Sequence, residues 1–364
     1  MNKPTTIPEL TGQMLMTGFE GTTLNSETED LIRNHHVGGL ILFSRNYENP
    51  EQLHTLIRDL QNVAASTSTG LPLLMSVDQE GGRVARLTEP FTKYPPLCCV
   101  GNSQSEDLAY RFGQALATEL VDVGINMDYA PVLDVHTNPD NPIIGDRAIA
   151  SDPKTVARLA NSFIKGFKDK GMIPVGKHFP GHGDTHLDSH LDLPTVKRDA
   201  ATLEAVELVP FRDTIAQGLE VIMTAHVIYT AWDAKNPATF SKTILQDILR
   251  QRLGFRGVIM SDDLEMKAVE NYFPFEEFPR MGIEAGLDMF MVCNNVEKLR
   301  ILHDQLIQDV DNGTISIAPI QQSVERILHL KKNLPPPPIN PPNPAHWKEL
   351  HTSLASELKS HLPG

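Results

Sequence analysis

Gly171-Met172-Ile173-Pro174-Val175-Gly176 is a short apolar run, and it opens directly into Lys177-His178-Phe179-Pro180-Gly181-His182-Gly183-Asp184-Thr185-His186-Leu187-Asp188-Ser189-His190. The first segment reads as a buried strand. The second reads as irregular backbone, because Pro removes a helix donor and Gly is entropically costly in a helix. Histidines, aspartates and a lysine packed this densely on irregular backbone suit a site that handles protons. Polar chemistry just past a strand's C-terminal end is where α/β barrels keep their active sites. The spacing of four between His178, His182, His186 and His190 would stack them on one helix face and suggest zinc. Pro180, Gly181 and Gly183 break that helix. A plain solvated loop is the blander reading, weakened by so many imidazoles alongside Phe and Pro.

The same strand-then-polar pattern repeats outward from this stretch. Apolar runs occur at Met14–Phe19, Val37–Phe43, Leu73–Val77, Asn126–Leu133, Ile173–Gly176, Val221–Val227, Gly257–Met260 and Asp288–Val292. Helix-like segments separate them, including Glu106–Val121 and one opened by a capping-box pattern, Ser26-Glu27-Thr28-Glu29. Near-continuous apolar strands alternating with helices indicate a parallel sheet covered on both faces. Eight of them is the number that closes a (β/α)8 barrel. An open doubly wound sheet is the competing architecture, but no Gly-x-Gly-x-x-Gly follows any strand to support a nucleotide-binding version. The fold class is therefore α/β, a single (β/α)8 TIM barrel. Ile317–Lys332 reads as a closing amphipathic helix. A stiff Pro-rich linker, Leu334–Pro344, follows it, and Trp347–His361 is either a short docking helix or a disordered tail.

Composition narrows the function classes. The chain has 364 residues, 40% of them hydrophobic, and a formal net charge of -14. Such acidity argues against nucleic acid and anionic membranes as partners, since phosphate binding needs a basic footprint. Cys98, Cys99 and Cys293 make neither a disulfide framework nor a metal-ligand spacing, which suits a reducing compartment. The first residues lack an apolar signal core, and no run approaches the ~18 apolar residues that span a bilayer. A soluble, cytoplasmic protein is expected, with no cofactor, no metal and a monomeric state.

In a barrel, the polar groups beyond the strands would converge. Asp78, Glu80, Arg83 and Arg86 follow the third strand; Asp134, His136, Asp146 and Arg147 follow the fourth; His226 lies in the sixth; Ser261-Asp262-Asp263 follow the seventh. Asp and Arg pairs suit sugar hydroxyls, and a carboxylate nucleophile with a separate proton donor is the equipment of retaining glycosidases. Structural roles compete for several of these. Asp263 can cap the following helix, Arg83 can form an ion pair, His226 can be a satisfied core imidazole and Asp128 can bind backbone. Strand alternation also means that Asp262 and Asp263 cannot both point into the site.

These motifs resemble glycoside hydrolase family 3, in particular its single-domain NagZ-type β-N-acetylglucosaminidases. The resemblance covers about residues 10–332. It is carried by Asp78-Gln79-Glu80-Gly81-Gly82-Arg83-Val84 with Arg86, by Asn126-Met127-Asp128-Tyr129-Ala130-Pro131-Val132-Leu133-Asp134, and by Ile144-Gly145-Asp146-Arg147. The Lys177–His190 loop and Met260-Ser261-Asp262-Asp263-Leu264-Glu265-Met266 complete it. The resemblance implies a catalytic domain over 1–333, with 334–364 as linker and tail helix lying outside the family pattern. It implies retaining hydrolysis of a terminal N-acetylglucosamine, from muropeptide fragments in peptidoglycan recycling. Asp262 would be the nucleophile, His190 the general acid/base and Asp188 the residue that orients and polarises His190. Asp78, Arg86, Arg147, Lys177 and His178 would bind the sugar. Chemically, an imidazole titrating near neutrality with a carboxylate behind it suits proton transfer, and a Gly- and Pro-containing loop can deliver it after substrate binds. Three alternatives stay open: another family 3 glycosidase or a phosphorylase, a metal-dependent hydrolase built on the histidines, and a catalytically silent sugar-binding barrel.

Overall fold

The structure, a computed structural model, describes residues 2–185 and 193–362. Its centre is a closed, all-parallel barrel of β1 (Leu15–Thr17), β2 (Gly39–Leu42), β3 (Leu74–Val77), β4 (Met127–Asp128), β5 (Ile173–Phe179), β6 (Val221–Thr224), β7 (Val258–Asp263) and β8 (Met289–Val292). Consecutive strands pair, and β1 closes on β8 with Leu15 opposite Phe290. Except for Asp262 and Asp263 at the end of β7, every strand residue is buried, which is why the strands read as apolar runs without alternation. All eight strands fall within or against the runs expected from sequence. The (β/α)8 fold is thus observed.

Helices cover the barrel where the spacing of apolar residues places them. Glu106–Asp122 and Ile317–Lys332 match their expected spans almost residue for residue. Pro153–Lys168 begins with Asp152 accepting from the Thr155 amide and Pro at the first helical position, the pairing that suits an N-terminus. One cap differs from expectation. The helix Ser26–Arg33 is capped by Asn25, whose side chain accepts from the Thr28 amide, so the Ser26–Glu29 box does not form. Asn25 is an equally good cap one residue earlier, and it takes the position first.

β5 runs further than its apolar segment. It carries Lys177 and His178 as strand residues rather than loop residues. Polar side chains survive inside the barrel because buried carboxylates receive them, as the site shows below. Beyond the barrel, Thr195–Val196 pairs in parallel with Ile228–Tyr229, and the Tyr229 hydroxyl donates to the Gly181 carbonyl 2.5 Å away. That pair tethers the base of the loop following β5. Gly183 belongs to the same base. A Cβ there would lie 1.7 Å from the Val135 carbonyl oxygen, so only glycine lets the loop rest on the chain leaving β4.

The C-terminal tail is a docked helix. Pro344–Lys359 lies against Glu106–Asp122, with Trp347, Leu354 and Leu358 buried. The Pro-rich stretch before it passes the turns that precede β4 and β5, with His54 hydrogen-bonded to the Pro338 carbonyl at 3.0 Å.

Candidate active site

The C-terminal ends of the strands enclose a cavity of about 210 Å3. Asp78, Arg86, Arg147, Lys177, His178 and Asp262 all line it. The structure therefore gathers every expected sugar-binding residue and the expected nucleophile in one place. His190 and Asp188, the expected proton donor and its partner, lie outside the described residues.

Charge in the cavity is held by a compact network. Arg147 forks onto Glu80 with contacts of 2.7 and 2.9 Å, and Lys177 contacts both Glu80 and Asp78, at 2.5 and 2.7 Å. Arg86 reaches Asp78 at 3.3 Å. Burial alone would neutralise Glu80, but the adjacent Arg147 and Lys177 hold its carboxyl far below the usual carboxylate range. Burial likewise opposes the charge on Lys177, and Asp78 and Glu80 overcome it, raising its pKa. Glu80 is thus the carboxylate that holds two cavity cations, Arg147 and Lys177. It is not among the site residues expected from sequence, although a buried strand cation such as Lys177 requires an acidic partner.

A second network fixes the imidazoles. Asp134 is fully buried and receives the His178 ring Nδ1 at 2.7 Å, the His178 amide at 3.1 Å and the His182 amide at 2.6 Å. Burial works against its ionisation, but the His178 interaction prevails and lowers its pKa. Engaging Nδ1 leaves the Nε2 side of the His178 ring for the cavity. His182 also lines the cavity, with Nδ1 at 2.8 Å from the Thr185 hydroxyl, and burial followed by repulsion from His178 lowers its pKa to about 4. Behind this loop sits Glu207, whose carboxyl is pushed up to about 8 by burial and then by Asp134.

Asp262 and Asp263 both line the cavity, and the β7–β8 register shifts between Met260 and Asp263, so strand alternation does not separate them as expected. The Asp263 carboxylate turns to the backbone, accepting from the Glu265 amide at 3.1 Å and the Cys293 amide at 3.2 Å. Burial raises its pKa to about 7. His226 is a satisfied core imidazole, hydrogen-bonded to the Thr239 hydroxyl and the Asp263 carbonyl. Asp128 receives the Gln79 amide, and burial drives its pKa well above normal. Arg83 pairs with Asp146 and backbone carbonyls of the 142–144 turn. His226, Asp128 and Arg83 are held by structural contacts, as the sequence allowed, whereas Asp263 serves the backbone and also lines the cavity.

His178 and His182 stand on a strand and an irregular turn, with ring centroids 5.7 Å apart, so a helical histidine ladder does not start here. Among the described residues, no group of three or more His, Cys, Asp or Glu is placed to hold a metal ion. None of their helices is long and apolar enough to cross a membrane. Apolar residues, among them Ile41, Phe43, Met223, Met266 and Met291, share the lining with the charged ones. Sequence gave no hint of these, since such residues are indistinguishable from core until the strand ends are placed.

Comparison with known proteins identifies the family. The profile described as "Glycosyl hydrolase family 3 N terminal domain" matches residues 6–330. A beta-hexosaminidase of Alkalilimnicola ehrlichii is 44% identical over 289 residues, covering 78% of this chain and 81% of its own. A family 3 beta-N-acetylglucosaminidase from a Paenibacillus species superposes with a TM-score of 0.92 at 37% identity, covering 98% of this chain and 69% of its own. NagZ from Neisseria gonorrhoeae, solved with N-trifluoroacetyl-D-glucosamine, gives a TM-score of 0.76 at 33% identity, covering 96% of both chains. On its sequence and on its barrel alike, the chain belongs to glycoside hydrolase family 3.

Proposed function

We propose that the chain is a retaining, exo-acting β-N-acetylhexosaminidase that releases terminal N-acetylglucosamine. The single observation that carries this reading is the convergence of Asp262 with Asp78, Arg86, Arg147, Lys177 and His178 around one cavity. Asp262 attacks the anomeric carbon and forms a glycosyl-enzyme. His190, polarised by Asp188, protonates the leaving oxygen and then activates water. Carboxylate acceptors and cationic donors grip the hydroxyls of one ring, while the apolar lining residues suit its carbon face and an N-acyl methyl. The cavity is below the about 300–1,000 Å3 usual for drug-sized ligands, which favours a single terminal sugar over an internal segment of a chain. Relatives and structural neighbours named for hexosaminidase activity support the amino-sugar preference.

The natural substrate in this reading is an N-acetylglucosaminyl muropeptide fragment met in the cytoplasm during cell-wall recycling. Sugar release from aryl β-N-acetylglucosaminide, from aryl β-glucoside and from a muropeptide tests it, each with and without inorganic phosphate and chelator. Rapid free-sugar release from the first and third alone, indifferent to both additives, is the expected result. Glycosyl phosphate as product, or loss of activity in chelator, would replace hydrolysis by phosphorolysis or metal-dependent chemistry.

A further inference from the structure

The C-terminal helix Pro344–Lys359 was left without a role by the sequence, yet its buried face meets the segment that descends from the sugar-binding loop. Trp347 is fully buried, stacks on Phe91 with ring centroids 4.9 Å apart, and donates its indole N–H to Asp122 at 2.7 Å. One turn on, His351 contacts Glu119 at 2.6 Å. Glu119, itself buried, accepts two further hydrogen bonds, from the Thr92 amide at 2.8 Å and the Tyr94 hydroxyl at 3.2 Å. One carboxylate thus ties the tail helix to residues 91–94.

Those residues begin five positions after Arg86. The Tyr94 carbonyl accepts the Gly82 amide, and a Cβ at Gly82 would lie 2.7 Å from Pro96, so the Asp78–Arg86 turn rests directly on the 94–96 backbone. The other end of that turn is fixed by Gln79, whose side-chain oxygen accepts the Arg86 and Leu87 amides. The turn carries two of the sugar-binding groups, Asp78 and Arg86. Residues 87–97 contain no helix or strand, so their conformation depends on such tethers.

We infer that His351 and Trp347 are positioning residues for substrate binding, acting through Glu119 and the 91–96 segment to set the turn that presents Asp78 and Arg86. The tail is then a strap that completes the sugar subsite from outside the barrel. This rests on the reading of Asp78 and Arg86 as sugar contacts. The contacts of both strap residues lie on Phe91, Glu119 and Asp122, away from the cavity lining. Their loss should therefore weaken ground-state and transition-state binding equally, which raises KM and leaves kcat in place.

Steady-state kinetics of full-length His351→Ala, His351→Gln and Trp347→Ala on an aryl β-N-acetylglucosaminide test the inference, with thermal unfolding followed in parallel. Loss of one such hydrogen bond corresponds to about a fivefold rise in KM for His351→Ala. His351→Gln, which retains a donor, should recover most of it, and kcat should stay within about twofold for both. A lowered melting temperature with unchanged KM would overturn the inference and leave the helix a stabilising cover only. If Trp347→Ala fails to fold, the His351 pair decides the matter alone. Absence of hydrolysis by the unmutated chain would instead refute the proposed function, so the two failures are distinguishable.

Discussion

Replacing Glu80 by Gln keeps the side chain's volume and removes the charge that holds Arg147 and Lys177. Both cations are buried, and Lys177 retains only Asp78, at 2.7 Å, while Arg147 falls back on the Ile143 carbonyl at 3.2 Å. Breaking a buried pair by removing one partner costs about 3–5 kcal/mol, and the surviving Asp78 contact places this case near the lower end. The same change should cost substrate binding. Loss of charge-assisted placement worth about 1.5–3 kcal/mol lowers kcat/KM roughly tenfold to a hundredfold. Urea unfolding and aryl-glycoside kinetics read the two effects separately. Adding Lys177→Met removes one stranded cation, so the double variant should be more stable than Glu80→Gln alone, a coupling of about 1 kcal/mol or more. If Glu80→Gln matches the parent in stability and in kcat/KM, the view that this carboxylate organises the subsite is wrong.

Glu207→Gln tests the support behind the loop. Its folded pKa of about 8 lies above the ordinary value, so its contribution to stability is complete below about pH 4.5, declines as pH rises, and is gone once pH passes 8. The variant should therefore gain on the parent in unfolding free energy between pH 5 and 9; parallel curves would refute the buried neutral carboxyl. For the proton donor, His190→Ala should slow glycosides with poor leaving groups by about a hundredfold or more while sparing activated aryl substrates. Asp188→Asn should lower kcat more than it raises KM. Equal slowing of good and poor leaving groups would remove His190 from the acid role.

Much of the barrel was legible because parallel strands, buried on both faces, leave runs such as Leu73–Val77 that no amphipathic helix imitates. The residues that line the cavity were legible where they sit on one motif, as in Asp78 to Arg86 or Ser261-Asp262-Asp263. What escaped was whatever depends on a distant partner. The apolar run stops at Gly176, and Lys177 looks out of place in a barrel until Glu80 and Asp78 are set beside it. Asp134 reads in sequence only as a polar neighbour, since its role is defined by three contacts on another strand and its loop. Docking of the tail helix is one of two readings open in the sequence, but its partners are not legible: Phe91 and Asp122 lie more than two hundred positions from Trp347 and carry no signal of their own.

Covalent trapping addresses the account at its centre. Incubation with a fluorinated slow N-acetylglucosamine analogue, followed by proteolysis and mass mapping, should place a single glycosyl label on Asp262 within residues 257–266, and Asp262→Ala should take up none while remaining folded. A label on any other residue, or steady turnover by Asp262→Ala, would contradict it.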